Sequence, residues 1–161
     1  MKYLITSLFF VFLIVSCGGD EEIDLDNSFI ENYKNVNWRT NDGFAYVWVT
    51  ENYFFYYDAL SNICSKFPLN GTANFGINGF YDEEYSLQIT TIANTGSSLA
   101  LKLIVTDTDI NETWNDHFYL VVTGNSLSFE FCDGIDAIPG AGGTYCEKEL
   151  YSKSEDNLFC N

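Results

Sequence analysis

Short segments in which apolar and polar residues alternate follow one another along most of this chain. The clearest is Ser126–Cys132, where Leu127, Phe129 and Phe131 would share one face of a strand. Turn residues such as Gly124-Asn125 separate the segments at intervals of roughly 8–12 residues. This spacing is typical of an all-β fold, because short turns join neighbouring strands in antiparallel fashion.

The pattern predicts about eight strands, joined by turns and two longer loops. The strands cover residues 44–51, 53–58, 73–81, 85–93, 98–106, 117–123, 126–132 and 144–151, with loops at 62–70 and 107–116. Asn27 and Ser28 are capping residues and predict a short helix over residues 29–35. No helix-length segment separates the strands, so we expect an antiparallel up-and-down barrel, with a β-sandwich as the alternative.

The N-terminal segment has the pattern of a secretory signal. Lys2 precedes an apolar run over residues 3–15, which is shorter than the roughly 18–20 apolar residues that a spanning helix needs. The run ends at Ile14-Val15-Ser16-Cys17, which resembles the lipobox of bacterial lipoproteins. That resemblance implies acylation of Cys17 as the first residue of the mature protein. The other readings are a plain cleaved signal and an uncleaved membrane helix.

We therefore divide the chain into three parts. Residues 1–16 are expected to be the signal peptide, residues 17–35 an acidic tether with the short helix, and residues 36–161 the all-β domain. The lipid on Cys17 implies attachment to the outer membrane. Residues 18–22, two glycines followed by three acidic residues, resemble an export signal of surface lipoproteins, so the cell surface is one destination. The other reading of these residues is a solvated tether.

The charge of the chain limits its partners. Its 23 acidic and 7 basic residues give a net charge of −16. Such a chain repels nucleic acids and anionic lipid headgroups. We expect no nucleic-acid partner.

Four cysteines remain besides the lipidated one, and an exported chain favours two disulfides with three conceivable connectivities. Cys132 and Cys146 bracket a glycine-rich loop and favour a local bridge, which leaves Cys64 and Cys160 to tie the C-terminus to the domain. A metal site is disfavoured, because there is no C-x-x-C pair and His117 is the only histidine. We expect neither a metal nor a cofactor.

An aromatic hairpin is the most distinctive part of the domain. Phe44, Tyr46 and Trp48 would share one strand face opposite Ala45, Val47 and Val49, and residues 53–58 are nearly all aromatic. Both faces are apolar, so one lines the core and the other needs a cover, a ligand or a partner. We predict a ligand-binding set that consists of Phe44, Tyr46, Trp48 and Tyr57. The alternative is that the bulky face fills the barrel interior.

Three further motifs are weak. Asp107–Asn111 matches the start of a calcium loop, but Glu112 and Phe118 replace the required glycine and glutamate, so an incidental acidic loop is the simpler reading. The glycines of residues 140–143 precede no helix, so they predict a loop rather than a phosphate site. His117 accompanies no G-x-S-x-G elbow and is expected at a strand edge. We therefore expect no enzymatic activity.

A family resemblance follows from these features together. A tryptophan near the start of the domain, Trp38, about eight meandering strands and a cysteine that could tie down the C-terminus resemble small lipocalin-like domains of bacterial lipoproteins. The resemblance covers residues 36–151. Val36 stands where lipocalins carry the glycine of Gly-x-Trp. The resemblance implies a lipocalin-like barrel, and an immunoglobulin-like or jelly-roll sandwich is the alternative.

Two functions are compatible with the sequence. The first is a lipid-anchored binding module for a small apolar ligand or a glycan. The second is a non-enzymatic accessory subunit of an envelope protein complex. An open cavity with convergent polar groups would favour the first, and a flat apolar patch would favour the second.

Overall fold

The computed structural model describes residues 27–74, 85–134, 146–156 and residue 160, and every structural statement below concerns these residues. They form one short helix and ten β-strands. The helix α1 is Phe29–Tyr33, and the strands are β1 Asn37–Thr40, β2 Ala45–Val49, β3 Tyr53–Asp58, β4 Ile63–Pro68, β5 Gly71–Asn74, β6 Tyr85–Thr95, β7 Ser98–Asp107, β8 Glu112–Thr123, β9 Ser126–Cys132 and β10 Cys146–Ser154.

The strands form a nearly closed antiparallel up-and-down barrel. Along the sheet the order is β4-β3-β2-β1-β10-β9-β8-β7-β6-β5, so β1 pairs with β10 and the two end strands are β4 and β5. Leu69 and Asn70, which connect these end strands, bond to Thr91 of β6: Thr91 Oγ1 donates to the carbonyl of Leu69 over 2.7 Å, and the Thr91 N–H donates to Asn70 Oδ1 over 2.9 Å. The all-β barrel is confirmed, and it has ten strands rather than about eight.

Residues 62–70 were expected to be a loop, and this expectation was wrong because β4 occupies most of them. Ser65 and Phe67 point inward and are 1% and 0% exposed, whereas Lys66 points outward. The alternation is therefore present, but serine, lysine and Pro68 obscure it in the sequence.

The loop expected over residues 107–116 is also mostly strand, because β8 begins at Glu112, opposite Asp107. The Asp107 carboxylate accepts the N–H groups of Asp109 and Ile110 over 2.9 and 3.2 Å, which closes a tight turn. Only residues 108–111 lie between the two strands. The expected strand over residues 73–81 begins earlier, in β5, and its remainder after Asn74 lies outside the described residues.

The short helix closes one end of the barrel. Ser28 caps it as expected: the Glu31 N–H donates to Ser28 Oγ over 3.2 Å, and the Ser28 N–H donates to the Glu31 carboxylate over 3.0 Å. Phe29 and Tyr33 are 1% and 5% exposed and belong to the core. Within the described residues, no helix has both the length and the apolar character to cross a membrane.

The inward side chains pack against one another in the centre of the barrel. The rings of Phe54, Phe67, Phe118 and Phe129 form a cluster with centroid distances of 5.1–5.8 Å. Three of these rings are fully buried, and Phe129 is 3% exposed. Bulky rings from four strands thus fill the middle of the interior.

Both expected disulfides are present. Cys132 and Cys146 face each other at the open end of the β9–β10 pair. The second bond joins Cys64 on β4 to Cys160, across a sequence separation of 96 residues. It fastens the C-terminal end of the chain to the outside of the barrel.

Candidate functional site

The register of the hairpin β2–β3 decides which of its two apolar faces is inside. Val47 and Val49 are 0% and 2% exposed and belong to the core cluster, together with Phe54 from β3. Because side chains alternate along a strand, the bulkier set on β2 points outward. The alternative in which that bulky face fills the barrel interior does not hold.

The outward side chains form what we term the outer aromatic face. It consists of Phe44, Tyr46 and Trp48 on and before β2, and Tyr53, Phe55 and Tyr57 on β3. The register places Tyr46 opposite Tyr57, with ring centroids 5.9 Å apart, and Trp48 opposite Phe55. The side chains of all four residues predicted as the ligand-binding set therefore point to the same side of the hairpin.

These residues differ in how accessible they are. Phe44 is 48% exposed and Tyr53 is 36% exposed, whereas Tyr46 and Tyr57 are half-buried. Trp48 is only 3% exposed, and its ring stacks on Phe55 at a centroid distance of 4.8 Å and an interplanar angle of 5°. The structure thus gives Trp48 the position of a support beneath the surface, and ligand contact by the other three stays a prediction.

One edge of the outer aromatic face carries an ion pair. Arg39 on β1 lies 3.0 Å from Asp156, and the Tyr46 hydroxyl donates to the same carboxylate over 3.3 Å. The Ser154 hydroxyl and Arg39 lower the pKa of Asp156. A hydrogen bond between the Arg39 and Tyr46 side chains, followed by the charge of Asp156, raises the pKa of Arg39. Both groups are therefore charged at neutral pH, and they fix the position of the Tyr46 ring.

The other edge carries a single cation. The Lys66 ammonium lies 4.0 Å from the centroid of the Tyr53 ring and 5.7 Å from that of Phe55. Lys66 is adjacent to Phe55 across the β3–β4 pair. A cation over an aromatic ring is attracted by the negative charge of its π face. Sequence reasoning missed Lys66. It grouped Tyr53 and Phe55 with Tyr57 on one strand face but did not include them in the predicted ligand-binding set.

Sequence reasoning also missed the end of the barrel opposite α1, which we term the mouth. Four aromatic side chains there pack on the core and remain partly exposed, namely Tyr56, Tyr85, Trp114 and Phe131. Trp114 donates to Asp116, which is 1% exposed, and Tyr151 donates to Glu149. Burial, followed by the charges of Glu149 and nearby aspartates, raises the pKa of Tyr56 to about 12.

The remaining candidates have structural explanations. Glu130 lies beside Cys132 and Cys146, but these two sulfurs are bonded to each other and so are not thiolate ligands. His117 was expected at a strand edge, and this was wrong because β8 begins five residues earlier and has strands on both sides. His117 stacks on Tyr119, and burial followed by the charge of Lys102 lowers its pKa.

No protein-family model, no curated protein and no solved structure matches the chain.

Proposed function

We propose that this protein is a lipid-anchored glycan-binding module that binds carbohydrate on the outer aromatic face. The observation that supports this is a partly exposed aromatic surface on the outside of a barrel whose centre is already packed. Phe44 and Tyr53 are more than a third exposed, whereas Phe54, Phe67 and Phe118 are fully buried. Apolar rings on the solvent side of a sheet leave apolar area exposed to water, which is unfavourable unless something covers them.

The shape and chemistry of the face favour a sugar over a purely apolar ligand. The face extends about 14 Å along β2 from Phe44 to Trp48, so it is an elongated surface rather than a pocket. Tyrosines combine a flat apolar body with a hydroxyl, which suits a ligand with apolar ring faces and polar edges. The Tyr57 hydroxyl donates to Asn62 over 2.9 Å, so hydrogen-bonding groups border the rings. An apolar ligand held in the barrel centre is disfavoured because the four-phenylalanine cluster occupies that space.

The exposed rings at the two ends of the face provide the first test. Phe44→Ala and Tyr53→Ala should each raise the dissociation constant for a bound polysaccharide by about tenfold or more, as truncation of an aromatic anchor does. Affinity electrophoresis in gels that contain soluble polysaccharides measures this as lost retardation. Tyr119→Ala is the matched control, because Tyr119 is a half-buried tyrosine on β8, outside this face.

Two results would contradict the proposal. Retardation that is equal in wild type, Phe44→Ala and Tyr53→Ala would remove the face as the binding site. A wild-type protein that no polysaccharide retards, but that co-purifies from envelope extracts with one protein through Phe44 and Tyr53, would favour the accessory-subunit function instead.

The anchor is the second part of the proposal. Cys17 lies outside the described residues, so the argument for its lipidation rests on the Ile-Val-Ser-Cys junction and the apolar run before it. Several acyl chains on one residue give stable membrane attachment. A lipid at this end and the binding face on the barrel would hold a glycan close to the outer membrane, with the cell surface as the proposed location.

Cys17→Ser should abolish membrane attachment, because serine cannot carry the thioether-linked lipid. We expect the variant to appear in the soluble fraction or as an unprocessed precursor, as judged by fractionation and metabolic labelling with a fatty-acid analogue. Cys64→Ser is the control for thiol loss and should remain labelled. A labelled, membrane-bound Cys17→Ser protein would refute the lipidation.

A further inference from the structure

The outer aromatic face carries basic side chains in a chain that is acidic as a whole. The outward strand positions of β1–β4 carry two basic side chains and, among the described residues, no acidic one. These positions are Asn37, Arg39, Tyr46, Trp48, Tyr53, Phe55, Tyr57, Cys64, Lys66 and Pro68. The chain as a whole has 23 acidic and 7 basic residues. The outward positions of β6–β8 also carry no acidic side chain, and the carboxylate of Asp156 stands at the edge of the aromatic face, where it pairs with Arg39.

The two cations on this face differ in whether a carboxylate pairs with them. Arg39 is paired with Asp156 at 3.0 Å, so its charge is largely compensated. Lys66 is exposed, and within the described part of the chain no carboxylate lies within ion-pair distance of its ammonium. Its ammonium stands over Tyr53 instead, 4.0 Å from the ring centroid. Lys66 is therefore the group on this face that is available to an anion.

We propose that the ligand of the outer aromatic face is an acidic polysaccharide, with an anionic substituent bound by Lys66 while neighbouring sugar rings lie on Tyr53 and Phe55. This inference rests on the proposed glycan-binding function and specifies its substrate class. A carboxylate or a sulfate ester would each satisfy the ammonium, because both accept charge-assisted hydrogen bonds. The net negative charge of the chain repels polyanions, so an acidic ligand needs a cation such as Lys66 beside the aromatic rings on which its sugars lie.

The experiment compares polymers that differ in charge alone. Polygalacturonate is paired with its carboxyl-reduced galactan, and carboxymethyl cellulose with hydroxyethyl cellulose; dextran sulfate and dextran form a third pair that separates sulfate from carboxylate. Affinity electrophoresis with the full-length mature protein gives a dissociation constant for each. We expect the charged member of at least one pair to bind more tightly than its neutral counterpart.

The variants then assign the preference to one side chain. Lys66→Gln keeps a polar stem but removes the charge, and it should weaken binding of the charged polymer by roughly threefold to tenfold, the range for one partly exposed charge-assisted bond. Binding of the neutral polymer should stay within twofold. Lys66→Arg should retain the preference. Lys102→Gln makes the same charge change on β7 and should leave every constant unchanged.

The outcomes separate this inference from the function on which it rests. Equal binding of charged and neutral polymers, lost in Tyr53→Ala, would overturn the acidic ligand and leave the glycan-binding function standing. No binding of any polymer would overturn both. A preference for charge that survives in Lys66→Gln would overturn the role of Lys66.

Discussion

Removing the bond between Cys64 and Cys160 should lower the free energy of unfolding by about 4.7 kcal/mol. The bond joins residues 96 apart in sequence, so breaking it releases a long closed loop in the denatured chain. In the chain-entropy account, the stabilisation by a disulfide grows with the logarithm of that loop length. Urea denaturation of the Cys64→Ala/Cys160→Ala protein, followed by tryptophan fluorescence, measures the loss.

The second disulfide provides an internal control. Cys132 and Cys146 are separated by only 14 residues, so Cys132→Ala/Cys146→Ala should cost about 3 kcal/mol on the same argument. These two residues also lie opposite each other in the β9–β10 ladder, which holds the strand ends together without the bond. A larger loss for the short loop than for the long one would show that loop closure does not set the order.

Trp48→Ala should destabilise the protein by about 3–5 kcal/mol, the usual cost of truncating a buried large aromatic. The Trp48 side chain is 3% exposed and stacks on Phe55 at 4.8 Å, so alanine leaves a cavity beneath the outer aromatic face. Thermal and urea melts measure the change. The same variant is expected to bind polysaccharide poorly, because the rings that Trp48 supports lose their packing.

Phe44→Ala provides the comparison with Trp48→Ala, because Phe44 is the most exposed aromatic residue of this face whereas Trp48 is buried. Phe44 is 48% exposed, so its truncation should change the free energy of unfolding by less than about 1 kcal/mol while weakening ligand binding. Similar stability for Trp48→Ala and wild type would contradict the supporting role of Trp48. It would return this residue to the set of direct ligand contacts.

The residues on each face of the β2–β3 hairpin could be predicted from the sequence, whereas which of the two faces is buried could not. Alternation alone places Tyr46 and Trp48 opposite Val47 and Val49. Both sets are apolar, so hydrophobicity gives no reason to bury one of them. The choice depends on the space inside the barrel, which Phe54 and the phenylalanines of β4, β8 and β9 already occupy.

The candidate site could be predicted only in part, because the identity of its aromatic residues is visible in the sequence but their neighbours in space are not. Tyr46 and Tyr57 could be selected as aromatic residues, but their adjacency depends on the β2–β3 register. Lys66 gave no signal, because its segment was interpreted as a loop and its position beside Phe55 comes from strand pairing. The burial of Trp48 likewise reflects neighbours in space, which a strand pattern does not reveal.

By itself, the sequence determined the antiparallel all-β class, the short capped helix and the loop-closing disulfide, because each depends on residues close together in the chain. Only the tertiary structure decided the number of strands, the near-closure of the barrel between β4 and β5 and the outward direction of the aromatic face. Those features depend on how far a sheet curves before its ends meet and on which side chains fit its interior. Both are properties of all the strands together.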